Sequence, residues 1–331
     1  MPNDNSLNWQ PTWQPTWHSS ALQIRSIALR TIREFFQSRD YVEVTTPVIS
    51  HDIVVDAHLH PFTVKDAGSE NADSKDPLYL QTSPEAAMKR LLAAGSGSIF
   101  QICPVFRSAE RGSRHNPEFT MVEWYGVGTN DADQMQLTED LVIAVQASIN
   151  EFSTSYEAAF ESLAPESILQ ISNRSLRELC EKKCQLQLPE NIERDDLLNL
   201  LLAEGVERNL GTPTPEFLHS YPISQAALAV ACDDDSRTAR RFELYINGLE
   251  LCNGYHELTD SDELVRRAAI ENQRRESHAA EQLPGAPRLE AAMQHGLPEC
   301  SGVALGFERL LMALLGADDI QHVLSFPIEI A

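Results

Sequence analysis

Residues 106–125 read FRSAERGSRHNPEFTMVEWY and set a charged loop between two apolar runs. Residues 99–106 are apolar on alternate positions and 119–127 are mostly apolar or aromatic, so both read as strands with a buried face. Between them lie Arg107, Glu110, Arg111, Arg114, His115, Asn116 and Glu118, around Gly112 and Pro117. Ordering such a loop costs chain entropy without burying apolar surface. Either its charges pair with one another at the surface, or a ligand completes it, and three arginines suit an anion such as phosphate.

The residue order decides between these. An Arg closing one strand, a variable loop, and His-Asn-Pro-Glu-Phe opening the next resembles the second signature motif of class II aminoacyl-tRNA synthetases. The wording HNPEFTM-x-EWY is similar to that of the lysyl subgroup, above all its truncated relatives that modify elongation factor P. The resemblance implies an α+β fold, the class II catalytic domain, in which helices flank an antiparallel sheet. It also implies that Arg107 contacts the α-phosphate of ATP, that Asn116 touches the nucleotide and that Tyr125 touches the amino acid. One position departs from the pattern: Ala109 stands where the family has Glu, which leaves Glu110 as the candidate for the adenine contact.

Composition narrows the partners. The 331-residue chain carries a formal charge of −23, and attraction to a polyanion needs a basic surface, so extensive tRNA or DNA binding is disfavoured. The six cysteines, at 103, 180, 184, 232, 252 and 300, form no CxxC pair. Without an apolar signal core at the N-terminus, they read as reduced thiols in a cytoplasmic protein. No run reaches the length of a membrane span, so no membrane partner is expected.

Taken in order, residues 1–19 hold a Trp-Gln-Pro-Thr tandem at Trp9 and Trp13 followed by Trp17, and their prolines block a helix, so a flexible arm is expected. From Ser20, Ile24, Ile27, Ala28, Ile32, Phe35 and Phe36 make an apolar stripe that ends near Asp40. A strand over 41–46 then stops at Pro47. Helix, strand and proline in that order resemble motif 1 of the family, which implies a homodimer. Residues 65–76 are a polar surface insertion. In the TSPE segment, Thr82 and Glu85 fit a capping box with Pro84 in the first helical turn, and a capped helix explains these residues by itself. The same segment resembles the family's amino-acid-binding element, which implies that Ser83, Pro84 and Glu85 face substrate.

Residues 131–210 are acidic and helical in pattern and read as an insertion between catalytic strands. Cys180 and Cys184 lie one helical turn apart, but two cysteines alone make a poor zinc site. Asn247-Gly248 marks a type I′ turn between strands at 242–246 and 249–252. Past it come Glu250 and Glu257, and two carboxylates can hold magnesium against a triphosphate. Strict alternation aims 250 and 257 at opposite faces, so Asn253-Gly254 is expected to reset the parity with a bulge or a positive φ. GLELCNGYHEL resembles the lysyl-type segment, which implies that Glu250 and Leu251 meet ATP and metal and that Glu257 grips the substrate amino group. A helix over 262–278 and a Pro-rich connection over 283–287 follow. The last segment, GVALGFERLLM, resembles motif 3 and implies that Arg309 holds the γ-phosphate while Gly306 admits the nucleotide closely. Arg309 stands in the first turn of its helix, where the backbone dipole disfavours a cation unless an anion is near.

The resemblance covers 20–331 and places the three motifs in family order. Lysyl-tRNA synthetases carry an OB-fold anticodon-binding domain before motif 1, whereas about 20 residues precede it here, too few for a domain. Ala304 stands where those synthetases have Gly, and the elongation factor P ligases are similar to this chain there. A methyl group in a tight pocket shifts selection by about 1–3 kcal/mol, enough to disfavour an α-amino group against a β-amino group. The resemblance thus implies an enzyme with ATP and magnesium that joins (R)-β-lysine to a lysine of elongation factor P, with Arg107 and Arg309 as catalytic cations. Two other readings stand beside it, a short lysyl-tRNA synthetase that charges RNA with α-lysine and a non-catalytic regulatory paralogue.

Overall fold

A computed structural model describes residues 15–16, 19–65, 77–149, 161–163, 168–189 and 191–331. Trp9, Trp13 and Trp17, and all but Lys65 of the polar insertion, lie outside the described residues; of the tandem only Pro15 and Thr16 are described, and the Thr16 N–H donates to the Ser325 carbonyl at 3.2 Å. The first helix, α1 (Ser19–Gln37), forms because its apolar residues recur every three or four positions; Ile24, Ala28, Ile32, Phe35 and Phe36 are all buried. Asp40, at φ 62°, turns the chain into β1 (Val42–Glu43), which pairs parallel to Ile99 and Phe100. The strand is shorter than the expected 41–46, although Val44 still donates its N–H to the Phe100 carbonyl at 2.9 Å.

Three short strands, β2 (Ile49–Ser50), β3 (Thr63–Val64) and β4 (Leu78–Leu80), make a small sheet in the order β2-β4-β3. Helix α2 (Glu85–Ala93) follows. Its expected capping box does not form: Pro84 is the N-cap residue, outside the first turn, and Ser83 Oγ rather than Thr82 accepts the Glu85 N–H at 3.0 Å. The quoted stretch lies between β5 (Ile99–Phe106) and β6 (Glu118–Val127), which pair antiparallel, Phe106 opposite Glu118. Then come α3 (Asp131–Ser148), β7 (Glu161–Leu163), α4 (Asn173–Cys184), α5 (Arg194–Leu201) and β8 (Glu216–Pro222). The chain ends with β9 (Thr238–Ile246), β10 (Leu249–His256), α6 (Ser261–Ser277), α7 (Pro287–Gly296), β11 (Cys300–Gly306) and α8 (Phe307–Leu315).

The main sheet has eight strands in the order β1-β5-β6-β11-β10-β9-β8-β7. Its six central strands are antiparallel, and only the edge strands β1 and β7 run parallel to their neighbours. This is the α+β architecture expected from the sequence. Alternation along β6 and β11 divides their side chains between two faces. Val122, Trp124, Val303 and Leu305 turn to one face, where α1, α3 and α8 close the main core. Phe36 stacks on Phe100 at 4.8 Å and lies 5.1 Å from Trp124; burying a Phe side chain contributes about 1.5–3 kcal/mol. Met121, Glu123, Tyr125, Gly302, Ala304 and Gly306 turn to the other face and line a large cavity.

The acidic 131–210 stretch divides between two environments. Leu141, Val142, Val145 and Ile149 belong to the main core, whereas α4 and α5 close on each other through Leu176, Cys180, Leu197, Leu198 and Leu201. Cys180 is buried there and its thiol donates to the Leu197 carbonyl. All six cysteines are free. Among the described residues no helix is long and apolar enough to cross a membrane.

Candidate active site

The charged loop after β5 is held at several points, which explains how it is ordered without an apolar core. Ser108 donates both N–H and hydroxyl to the His60 carbonyl, at 2.8 and 3.0 Å, and Arg114 Nη1 donates to the Gly248 carbonyl at 3.0 Å. The Ile320 N–H donates to the Ser113 carbonyl at 2.7 Å. Asn116 is buried: its Nδ2 donates to the Glu118 carbonyl and its Oδ1 accepts the Ile328 N–H at 3.0 Å. Arg107 lies over the Phe119 ring, 5.1 Å from its centroid, and donates from Nε to the Thr82 carbonyl and from Nη1 to Glu110 at 3.2 Å. Glu110 is therefore turned back onto Arg107, at the rim of the cavity that both line.

Arg309 enters the same cavity from the first turn of α8. Its Nη1 donates to the Glu250 carbonyl at 3.1 Å and to Glu250 Oε2 at 3.3 Å. Its Nη2 lies 2.7 Å from His115 Nε2. A guanidinium can only donate, so this ring nitrogen carries no proton. Burial and then the Arg309 charge push His115 below the ordinary histidine range. Gly306, at the N-terminus of α8, lines the cavity, and a Cβ there meets only the Arg309 side chain, at 3.7 Å or more. Arg107 and Arg309 thus share one cleft, which Gly306, the N-cap residue of α8, also lines, an arrangement suited to an extended polyphosphate.

Further along the same cleft the charges reverse. Glu123 is 1% exposed; its carboxylate accepts from Ser83 Oγ and from the Tyr125 hydroxyl, each at 2.7 Å. Burial, and then the neighbouring charge of Glu85, lift it to about 8. Glu257, 2% exposed, is lifted by burial to about 7 although Lys89 opposes the rise. Ser83, Glu85, Glu123, Tyr125, Glu257 and Ala304 all line the cavity, whereas Pro84 is buried and does not. Gly302 is required at its position because a Cβ there lies 2.4 Å from the Tyr125 ring and 2.6 Å from Glu257 Oε1. Carboxylates gathered in a partly desolvated cleft attract ammonium groups, since a cation lowers the cost of ionising each of them.

The β9–β10 hairpin connects the two ends. Asn247 and Gly248 have φ 53° and 68°, as a type I′ turn requires. Parity is reset along β10, but not where the sequence points. The register shifts between Glu250 and Cys252, so the extra residue is Leu251, and Gly254 does not adopt a positive φ. Gly254 is small for another reason: a Cβ there lies 2.3 Å from the Phe242 ring in the core. The bulge at Leu251 puts Glu250 before it and Asn253, Tyr255 and Glu257 after it on the cavity face.

Glu250 and Glu257 nevertheless belong to separate charge clusters. Glu250 sits with Glu243, Arg309, Arg241 and Glu207, and burial followed by the Glu243 charge raises its carboxyl above the usual range. Glu257 sits with Lys89, whose Nζ is 2.5 Å from Oε2. That ammonium already fills the cation position beside Glu257, so this residue does not fit as a magnesium ligand. Glu250 fits: its side chain is 32% exposed to the cleft, and of its two oxygens only Oε2 faces Arg309, at 3.3 Å. Glu243 accepts from Tyr221, Tyr245, Arg241 and Asn253 and has no free oxygen to offer. Among the described residues no cluster of three or more His, Cys, Asp or Glu side chains could cage a metal. One protein carboxylate completed by phosphate oxygens and water is a common arrangement for magnesium.

Three cleft residues, Glu123, Arg241 and Glu243, and Lys89 behind the cleft wall are not singled out by the sequence. Glu123 stands inside the motif 2 string two residues before Tyr125, and alternation was sufficient to place it on Tyr125's face. Lys89 follows Glu85 by four, the spacing of an ordinary helical ion pair, and nothing in that spacing signals burial.

The cleft thus has the layout of a class II synthetase, with Arg107 and Arg309 at one end and Glu85, Glu123 and Glu257 at the other. The chain belongs to the family of class II tRNA synthetases (D, K and N), whose model matches residues 14–330. Its relatives are more specific. It is 43% identical over 310 residues to the elongation factor P–(R)-β-lysine ligase of Pseudoalteromonas translucida, covering 93% of this chain and 95% of that protein. It is likewise 43% identical to the ligases of that name from Yersinia enterocolitica, over 97% of this chain and 98% of that one, and from Haemophilus ducreyi, over 98% and 97%.

Proposed function

We propose that the protein is an ATP-dependent ligase that activates (R)-β-lysine as its adenylate and transfers it to the ε-amine of a lysine on elongation factor P. The observation that carries this reading is the single cleft in which Arg107 and Arg309 stand at one end and Glu85, Glu123 and Glu257 at the other. A substrate with two ammonium groups and one carboxylate suits that polarity. Its ammonium groups go to the glutamates, which points its carboxylate towards the arginines. The names of the relatives, which cover nearly the whole chain, support the choice of amino acid and acceptor.

In the first step a carboxylate oxygen of β-lysine attacks the α-phosphorus of ATP. A carbon-bound oxygen–phosphorus bond forms, the bond to the bridging oxygen breaks, and pyrophosphate leaves. Arg107, oriented by the Thr82 carbonyl and the Phe119 ring, takes the α-phosphate, and Arg309, fixed by His115 and Glu250, takes the γ-phosphate. Cations aimed at oxygens that gain charge lower the barrier without reorganising. Glu250 would hold magnesium, which when bound would supply positive charge to the polyphosphate. Asn116, Leu251 and Gly306 shape the nucleotide site, with Glu110 at its rim, while Ser83, Tyr125 and Ala304 shape the amino-acid site.

In the second step the neutral ε-amine of the acceptor lysine attacks the carbonyl carbon of the adenylate. An amide forms, AMP leaves, and the amine loses its second proton to solvent. We further propose that the enzyme acts in the cytoplasm as a homodimer and does not charge tRNA. Leu22, Val42 and Ile49, on the motif 1 segment, are exposed at 47, 55 and 46%, which supports the homodimer; the free thiols support the cytoplasm, and the net charge of −23 speaks against tRNA charging. The test is ATP–pyrophosphate exchange dependent on β-lysine or α-lysine, followed by mass analysis of added elongation factor P. Exchange with β-lysine and a β-lysyl adduct on one lysine are expected; exchange with α-lysine and labelled tRNA, or no exchange, overturns the proposal.

A further inference from the structure

Behind the acidic end of the cleft, and not lining it, lies Lys89 on α2. It is 1% exposed, its Nζ donating to Glu85 Oε1 at 2.6 Å and lying 2.5 Å from Glu257 Oε2. The second contact is off the hydrogen-bonding direction, so Glu257 Oε2 is paired with a charge yet has no aligned donor of its own. The ammonium also lies 5.9 Å from the centre of the Tyr125 ring. A buried lysine is normally driven neutral. Here the two carboxylates overcome desolvation and hold it charged well above its ordinary range.

A cation built into the wall of a pocket for cations is unexpected, since it repels the ligand. Its position resolves the difficulty. Lys89 approaches Glu85 and Glu257 from the protein side, and each of these carboxylates still lines the cleft. We propose that Lys89 is a positioning residue for amino-acid recognition, which fixes the carboxylates of Glu85 and Glu257 side by side from the protein side, so that both face the cleft. This rests on the assignment of the acidic end to a diammonium substrate. The other groups facing the cluster are Glu123 and Tyr125 on β6, Tyr255 on β10 and Cys300 on β11, and none of these brings a positive charge. Without Lys89 the carboxylates repel one another in a desolvated wall, and Glu257 is lifted further towards its neutral form, which cannot pair with an ammonium group.

The experiment is ATP–pyrophosphate exchange by Lys89→Met and Lys89→Arg, with KM for β-lysine and for ATP measured separately between about pH 6.5 and 8.5. Wild-type exchange with β-lysine is the control: its absence refutes the functional reading, and binding of L-lysine by calorimetry then replaces KM, with an unchanged affinity in Lys89→Met overturning the role of Lys89. For Lys89→Met the expected result is an amino-acid KM raised about 100-fold near neutral pH, an ATP KM within about twofold of wild type, and partial recovery as pH rises. A merely structural role lowers both substrates' affinities together and gives no recovery with pH; that outcome overturns the proposal. Should the Met variant not fold, Lys89→Arg decides. It keeps the charge, so the expected amino-acid KM rises only about tenfold with ATP unchanged, and equal losses for both substrates refute it.

Discussion

Gly302→Ala tests the shape of the acidic pocket with a single methyl group. The added Cβ lies 2.4 and 2.5 Å from two carbons of the Tyr125 ring and 2.6 Å from Glu257 Oε1. Both neighbours are constrained: Tyr125 is 3% exposed with its hydroxyl on Glu123, and Glu257 is 2% exposed beside Lys89. Neither is the loose end of a flexible chain, so the overlap is relieved only by moving groups that receive the amino acid. Overpacking of this kind costs about 1–3 kcal/mol. Spread over a chain of this length, that lowers the melting temperature by about 2–4 °C. Felt in the pocket, the same energy raises KM for β-lysine by about 5–150-fold, because each factor of ten is about 1.4 kcal/mol. Arg107 and Arg309 lie outside the clash, so KM for ATP stays within about twofold. Pyrophosphate exchange with each substrate varied in turn, together with a melting curve, measures all three quantities. An unchanged amino-acid KM, or equal losses for ATP and amino acid, refutes the placement of the ammonium groups among Glu85, Glu123 and Glu257.

Three further outcomes follow from the same geometry. Arg309→Ala removes two donors from the phosphate end and is expected to lower exchange by about 10²–10³-fold while the melting temperature changes little; activity within a few-fold of wild type contradicts its role. Glu250→Gln keeps the shape but removes the carboxylate proposed to hold magnesium, so the magnesium concentration giving half-maximal exchange rises about tenfold or more, and an unshifted magnesium titration places the ion elsewhere. Glu123, raised to about 8 in the fold, binds its proton more tightly there than in the unfolded chain. The contribution of Glu123 to folding stability is therefore greatest below the unfolded carboxyl value of about 4.3 and is lost as pH climbs through the folded one. Glu123→Gln is expected to flatten that decline in melting temperature between about pH 5 and 8, and a slope identical to wild type's shows that Glu123 is already ionised.

How much of this was legible in the sequence depends on whether a residue's role is set locally. Arg107, Tyr125 and Arg309 sit in contiguous strings, and their common cleft follows from the order of those strings. The turn at Asn247-Gly248 is local too, because both residues tolerate the positive φ it needs. The bulge was not local. Which residue of β10 is extra depends on its pairing with β9, and Asn253-Gly254, the more permissive pair, drew the assignment away from Leu251. Helix α7 is concealed by Pro287, which reads as part of a connection and in fact occupies its first turn. Glu250 and Glu257 looked like a metal pair because both are carboxylates on one segment. Separating them required Lys89, which comes from a helix far away in sequence and differs from a surface lysine only in what surrounds it.

The most direct measurement is a structure of the protein bound to a non-hydrolysable analogue of the (R)-β-lysyl adenylate. The phosphate is expected within hydrogen-bonding distance of Arg107, about 2.7–2.9 Å, and both ammonium groups among Glu85, Glu123 and Glu257. An analogue bound with its amino-acid portion at the arginines, or outside the cleft altogether, contradicts the reaction assigned to this chain.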